Sequence, residues 1–133
     1  MNKIKGLVKS EKGQGIVEFA IVLWPLMLIV LGMVEFGWLF NAKITLTSSA
    51  REGARIAAVS NLNHEAKARS AVENAVLGTS GLTITDVDYS TEKDYVNDIR
   101  NVIIKVEAEV DPIIGLFVTD PQTMEAIAKM RIE

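Results

Sequence analysis

Three residues near the start of the chain, Gly13, Gln14 and Glu18, have the types and spacing for chemistry on the chain itself. Gly13 closes a short basic leader, Gln14 follows it, and Glu18 is the fifth residue counted from Gln14. A long apolar run, GQGIVEFAIVLWPLMLIVLGMVEFGWLF over residues 13–40, then begins. This reads as a cutting signal, with Gly13 the last residue removed and Gln14 the first kept. A secretory signal peptide carries its small-residue cleavage site after the apolar region. Here the small residue comes before it, so cutting leaves the apolar segment attached. Read without Gly13, Glu18 is an interfacial acid that snorkels at a helix end.

A second cluster, Arg51, Glu52 and Arg55, lies in a run of small residues, Ala50, Gly53 and Ala54. Arg51 and Arg55 share one side of a helix by their i,i+4 spacing. The cluster reads either as a solvated face or as a docking surface for an acidic face, on a neighbouring subunit or on the chain's own sheet. Asp86, Asp88, Ser90, Glu92 and Asp94 alternate as calcium-loop ligands do. Thr91 stands where such a loop needs glycine, and Asn97 where it needs a bidentate glutamate, so a polar hairpin is expected. Glu35, at the far end of the apolar run, is expected to be solvated. His64 is the single histidine and cysteine is absent, so neither a disulfide nor a multi-histidine or thiolate metal site can form. The residues suggest no cofactor. They contain no nucleophile elbow, phosphate-binding loop or dinucleotide fingerprint on which to base an enzyme.

The elements that must position these residues follow from charge and period. The chain has 133 residues and a net charge of −3. Lys3, Lys5, Lys9 and Lys12 against Glu11 give the leader +3, which leaves −6 for the remainder. A basic leader before an apolar span puts the N-terminus in the cytoplasm and the acidic remainder outside. An acidic remainder also argues against nucleic acid as a partner. Residues 16–40 are long enough, at ~1.5 Å per residue, to cross a ~30 Å hydrocarbon core. Trp24 sits early in this span, Trp38 and Phe40 stand where an outer aromatic belt belongs, and Pro25 is expected to kink or loosen the helix.

Helical spacing continues beyond the span. Ala50, Gly53, Ala54, Ala57 and Ala58 form a narrow seam against which another element can pack closely. Asn61 or Asn63 can cap a second helix over about 64–77, with Ala68, Ala71, Val72, Ala75 and Val76 as its apolar stripe and Gly78 as its end. The period then changes to two. Val102, Ile104, Val106, Ala108 and Val110 mark one strand, and Met124, Ala126, Ala128, Met130 and Ile132 another. Residues 82–89 make a third, with a bulge near Asp86. The predicted fold is α+β: a long N-terminal transmembrane helix continuing outside the membrane, a short second helix, and a small three-stranded antiparallel sheet. The expected divisions are a leader at 1–13, a transmembrane helix at 14–41 and an exported α+β domain at 42–133.

Three segments make the chain resemble the TadE-like family, the minor pilins or pseudopilins of tight-adherence pilus systems. They are GQGIVEFAIVLWPLMLIVLGMVEFG, LTSSAREGARIAAV and the C-terminal MEAIAKMRIE. The resemblance covers roughly the first 60 residues and the last ten, and Pro25 departs from it. It implies cleavage after Gly13 by a prepilin peptidase and a role in building an adhesive type IV pilus. It makes Glu18 the pilin acid, for which the α-amine released on Gln14 of a neighbouring subunit is a partner. Pro25, Ala50, Arg51, Glu52, Gly53, Ala54 and Arg55 would serve packing and assembly. The implied partners are the peptidase, other pilins and minor pilins, the inner-membrane assembly platform and the bilayer. The implied location is the bacterial inner membrane, as a single pass with a periplasmic or extracellular domain. Two other readings compete: an uncleaved scaffold of a pilus or secretion machine, and a membrane-tethered hydrolase with a polar cleft in 62–133.

Overall fold

The computed structural model describes residues 11–60, 63–95 and 99–132. Most of the expected leader and the candidate cap Asn61 lie outside the described residues. Helix α1 runs from Glu11 to Val59, 49 residues in one element. It stays helical through Pro25, so any loosening there does not divide it. Over residues 16–30 its large apolar side chains are exposed on every side. A helix apolar all round is one made for an apolar surrounding.

Beyond residue 41 the same helix changes character. Ala42, Leu46, Ala50, Ala54 and Ala57 are fully buried. They face helix α2, His64–Val76, and a sheet of order β1-β2-β3. The sheet strands are β1, Leu82–Asp94, β2, Ile99–Val110, and β3, Gln122–Arg131, all antiparallel. α1 packs on β2 and β3, and α2 packs on α1 and β1. The central strand supplies Val102, Ile104, Val106, Ala108 and Val110, all fully buried, as their alternation predicts. Burying a valine or isoleucine of this kind stabilises the fold by about 1.5–3 kcal/mol. One face of the sheet is therefore core, and the other carries solvated pairs. There Lys105 meets Glu107 at 2.7 Å and Glu125 at 3.3 Å, and these hydrogen bonds raise the lysine pKa above its usual value.

The small-residue seam has a direct packing reason. A Cβ on Gly53 would stand 2.6 Å from Val72 Cγ2 and 3.3 Å from the Ala68 carbonyl oxygen. α2 thus crosses α1 where a glycine leaves room for it, which is how small residues let helices approach. Lys43 adds a tie by donating to the Glu125 carbonyl on β3. Arg69 of α2 donates to the Val87 carbonyl at 3.1 Å, next to the register shift between Ile84 and Asp86. That shift is the expected bulge, and it returns Val87 and Tyr89 to the core side.

Three expectations are corrected. Asn63 does stand at the N-cap of α2, but in a left-handed conformation (φ 55) and without a side-chain capping bond. The entry is held instead by His64, whose Nδ1 lies 2.8 Å from the Ala57 carbonyl of α1. Ala75 is exposed, because the buried stripe of α2 is Ala68, Ala71, Val72 and Val76. β1 extends past residue 89 to Asp94, since β2 offers partners along its whole length, down to Asp94 opposite Ile99. Apart from these corrections, Trp38 is half-buried against the folded domain and donates its indole N–H to the Asp111 carbonyl at 3.1 Å. Phe40, by contrast, remains exposed.

Candidate functional site

The three residues at the start of the span lie on the open surface of α1. Gly13, Gln14 and Glu18 are all exposed, and nothing approaches within 4 Å of a Cβ built on Gly13. Gln14 Nε2 donates to Glu18 Oε1 at 3.0 Å, one turn along the helix. The carboxylate is therefore accessible to a group from outside the chain. Around it Ile16, Val17, Phe19, Ile21 and Val22 present bare apolar surface.

The second cluster is divided by the helix period. Ala50, Gly53 and Ala54 are buried in the domain, while Arg51 and Arg55 are exposed. Among the described residues neither arginine is bonded to the chain's own sheet, although Arg55 borders a depression shared with Met130 and Arg131 of β3. Arg55 pairs with Glu52, Nη2 to Oε1 at 2.7 Å and Nε to Oε2 at 3.0 Å. This hydrogen bonding holds the Glu52 carboxyl below its usual range and raises Arg55 in turn. Arg51 borders a shallow depression with Lys43, Ile44, Thr47 and Ser48, on the face turned away from the core. The cluster thus serves two functions on one helix, a buried seam and a solvated cationic edge. Pro25 lies among exposed residues of the span, away from the domain.

The alternating acids 86–94 do not form a loop. Asp86, Asp88, Ser90 and Glu92 are strung along the outward side of β1, and Glu92 is salt-bridged to Lys129 across the sheet. The eight steps of strand from Asp86 to Asp94 extend over ~26 Å, too far to wrap one cation. Among the described residues no group of three or more acids and histidines is placed to hold a metal ion. The surface beside His64 is an open depression lined by Asn63, Glu65, Ala66, Arg69 and Tyr89. His64 and Arg69 there are both engaged with backbone carbonyls.

Glu35 contradicts the expectation of a solvated end residue: it is fully buried. Its two carboxylate oxygens accept backbone N–H bonds from Gly115, at 2.9 Å, and Phe117, at 3.0 Å. Those amides belong to the β2–β3 loop, residues 111–121, which folds back along α1 toward its N-terminal half. Gly115 has φ 69, a turn conformation suited to glycine, and this aims its amide at the acid. Phe117 lies against Gly32, where a Cβ would meet the ring at 3.2 Å. Trp38 and Asp111 close the upper end of the same contact. Two signals for this clasp were present in the sequence: an acid on an otherwise apolar helix, and a glycine in the charge-free run 112–119. Nothing in their spacing joined them.

Fold and site together define a small α+β domain carried on one helix that is long and apolar enough to cross a membrane and is bare over its apolar window. Residues 13–55 match the model of a family described as TadE-like protein, so the TadE-like resemblance holds over this segment, and it points to a Tad pilus-associated protein. No curated protein and no solved structure matches the chain.

Proposed function

We propose that this chain is a minor pilin or pseudopilin-like structural subunit for assembly of a tight-adherence pilus, cut after Gly13 by a prepilin peptidase. The observation that carries the reading is the family match over residues 13–55, which opens at Gly13. The bare apolar helix that follows supports a single-pass anchor. In this reading 1–13 is the leader, 14–41 the membrane helix and 42–133 the exported domain. The leader's positive charge keeps the N-terminus in the cytoplasm, and the domain lies across the inner membrane.

Assembly then depends on charge placed in an apolar setting. Cutting creates an α-amine on Gln14. Glu18, exposed on its own helix, is available to the amine of a neighbouring subunit. An ion pair of this kind is worth most when it is desolvated between packed helices, and an acid left there without a partner is costly. Processing and assembly are thereby coupled, because the uncut chain has no such amine. The apolar face around Glu18 packs against other pilins, and Arg51, exposed on α1, offers a cation to an acidic partner. The bilayer, the peptidase, the assembly platform and other pilins are the partners. The role is structural, without catalysis or cofactor.

The test is piliation of cells lacking this chain, complemented with wild type, Gly13→Ala or Glu18→Leu and counted by electron microscopy. The wild type restores pili, and both variants fail at normal membrane levels of the protein. Full piliation with Gly13→Ala would reject processing and favour an uncleaved scaffold.

A further inference from the structure

We infer that the β2–β3 loop is a second membrane contact, seated at the interfacial level of the leaflet on the domain side and held there by Glu35. The inference rests on the membrane reading of α1. Its first support is depth. Counting from Glu18 at the cytoplasmic boundary, fourteen residues of α1 lead to Gly32 and seventeen to Glu35, so the two lie ~21 Å and ~26 Å along the axis. A hydrocarbon core of ~30 Å therefore ends ~4 Å beyond Glu35, so the loop clasped to that residue lies at the boundary with the headgroups, and only the Phe117 ring reaches down to Gly32.

The second support is chemistry. Residues 112–119 carry no charge and are flanked by Asp111 and Asp120. Ile113, Ile114, Leu116 and Phe117 are 55%, 39%, 48% and 51% exposed. The loop meets α1 at Gly32 and Glu35, where the neighbouring helix residues Met33, Val34 and Phe36 are exposed apolar side chains of the span. A patch of this kind is covered in a functioning protein, and the cover already reaching this level of the helix is lipid.

The third support is hydrogen bonding. Lipid-exposed irregular backbone does not occur within the hydrocarbon, so the loop belongs at the interface, and the polar groups it turns toward α1 need partners there. Glu35 supplies them for the two amides directed at the helix, Gly115 and Phe117. In exchange the loop shields the carboxylate, so an acid can stand on an otherwise apolar span. The domain is then attached to the bilayer at two points, which limits how it swivels on α1. A second copy of the chain is the competing occupant of the patch.

The chain has no cysteine, so single sites report cleanly. Leu116→Cys, Ile29→Cys and Ser90→Cys, each nitroxide-labelled in the full chain, are reconstituted in phosphatidylcholine–phosphatidylglycerol vesicles. Collision with oxygen, enriched in lipid, is compared with collision with a water-soluble nickel chelate. The expected result is oxygen preference at 29 and 116 and nickel preference at 90. Nickel preference at 116 with oxygen preference at 29 overturns the loop anchor and leaves the membrane span standing. Nickel preference at both overturns both. Shielding of 116 from both probes, with spin broadening that disappears on dilution with unlabelled protein, assigns the patch to a second copy and overturns the lipid contact. Adding Glu35→Ala to the Leu116→Cys chain should lower its oxygen-to-nickel ratio several-fold while the same change leaves position 29 as it was. An unchanged ratio at 116 would overturn the holding role of Glu35.

Discussion

The two halves of α1 are one helix built for two solvents. Before residue 41 it carries large side chains, such as Ile21, Trp24 and Met33, and leaves them bare. After residue 41 its inward face is Ala42, Leu46, Ala50, Gly53, Ala54 and Ala57, and all of it is covered. The difference lies in what each half packs against. Lipid chains conform to any apolar shape, so bulk and hydrophobicity suffice. A sheet and a second helix have fixed shapes, so the helix must be slim where they cross it. Glu35 and Trp38 mark the changeover, and both are bonded to the loop between β2 and β3.

Glycine substitutions break this comparison most strongly. Gly53→Leu should cost about 3 kcal/mol by overpacking against Val72, read as a fall in the thermal midpoint of the micelle-solubilised chain. Gly37→Leu, where nothing lies within 4 Å of the new Cβ, should leave that midpoint in place. Equal losses at both sites would mean that the halves are not packed differently. Next in size is Glu35→Ala, which leaves two loop amides without an acceptor and should cost about 2 kcal/mol. Hydrogen exchange should speed up at Gly115 and Phe117 and stay slow in β2. Trp38→Phe replaces the indole by a smaller ring and removes one hydrogen bond, for a loss of about 1–2 kcal/mol in the same melt.

The smallest effect is at the exposed pair. Arg55→Ala should not shift the midpoint measurably at neutral pH, because both partners are solvated. Glu52 has a lowered pKa, so the pair's small contribution is present above the ordinary carboxyl value of 4.5. It fades as pH falls through the lowered value. A large loss at neutral pH would show the edge to be structural and remove it from consideration as a docking surface.

How much of this was legible depended on periodicity. β2 is half core and half solvent, so its valines and isoleucines alternate, and every inward residue was named correctly. The seam Ala50 to Ala58 was equally readable, because its spacing records the face that α2 and the sheet cover. The length of β1 was not, since its outer half pairs through backbone while its side chains are polar and solvated. The Asn63 cap failed because a left-handed residue there leaves its side chain out of capping geometry. Glu35 was misread for a related reason. Its partners lie 80 and 82 residues away, and a contact between a helix and a loop leaves no repeating pattern. The exposure of Gly13, Gln14 and Glu18 fits their reading as a processing segment.

The measurement that bears most directly on the account is the intact mass and N-terminal sequence of the protein extracted from membranes, with and without a prepilin peptidase. The account predicts a chain beginning at Gln14 when the peptidase is present and an uncut chain when it is absent. A chain that keeps its leader in both cases would contradict it.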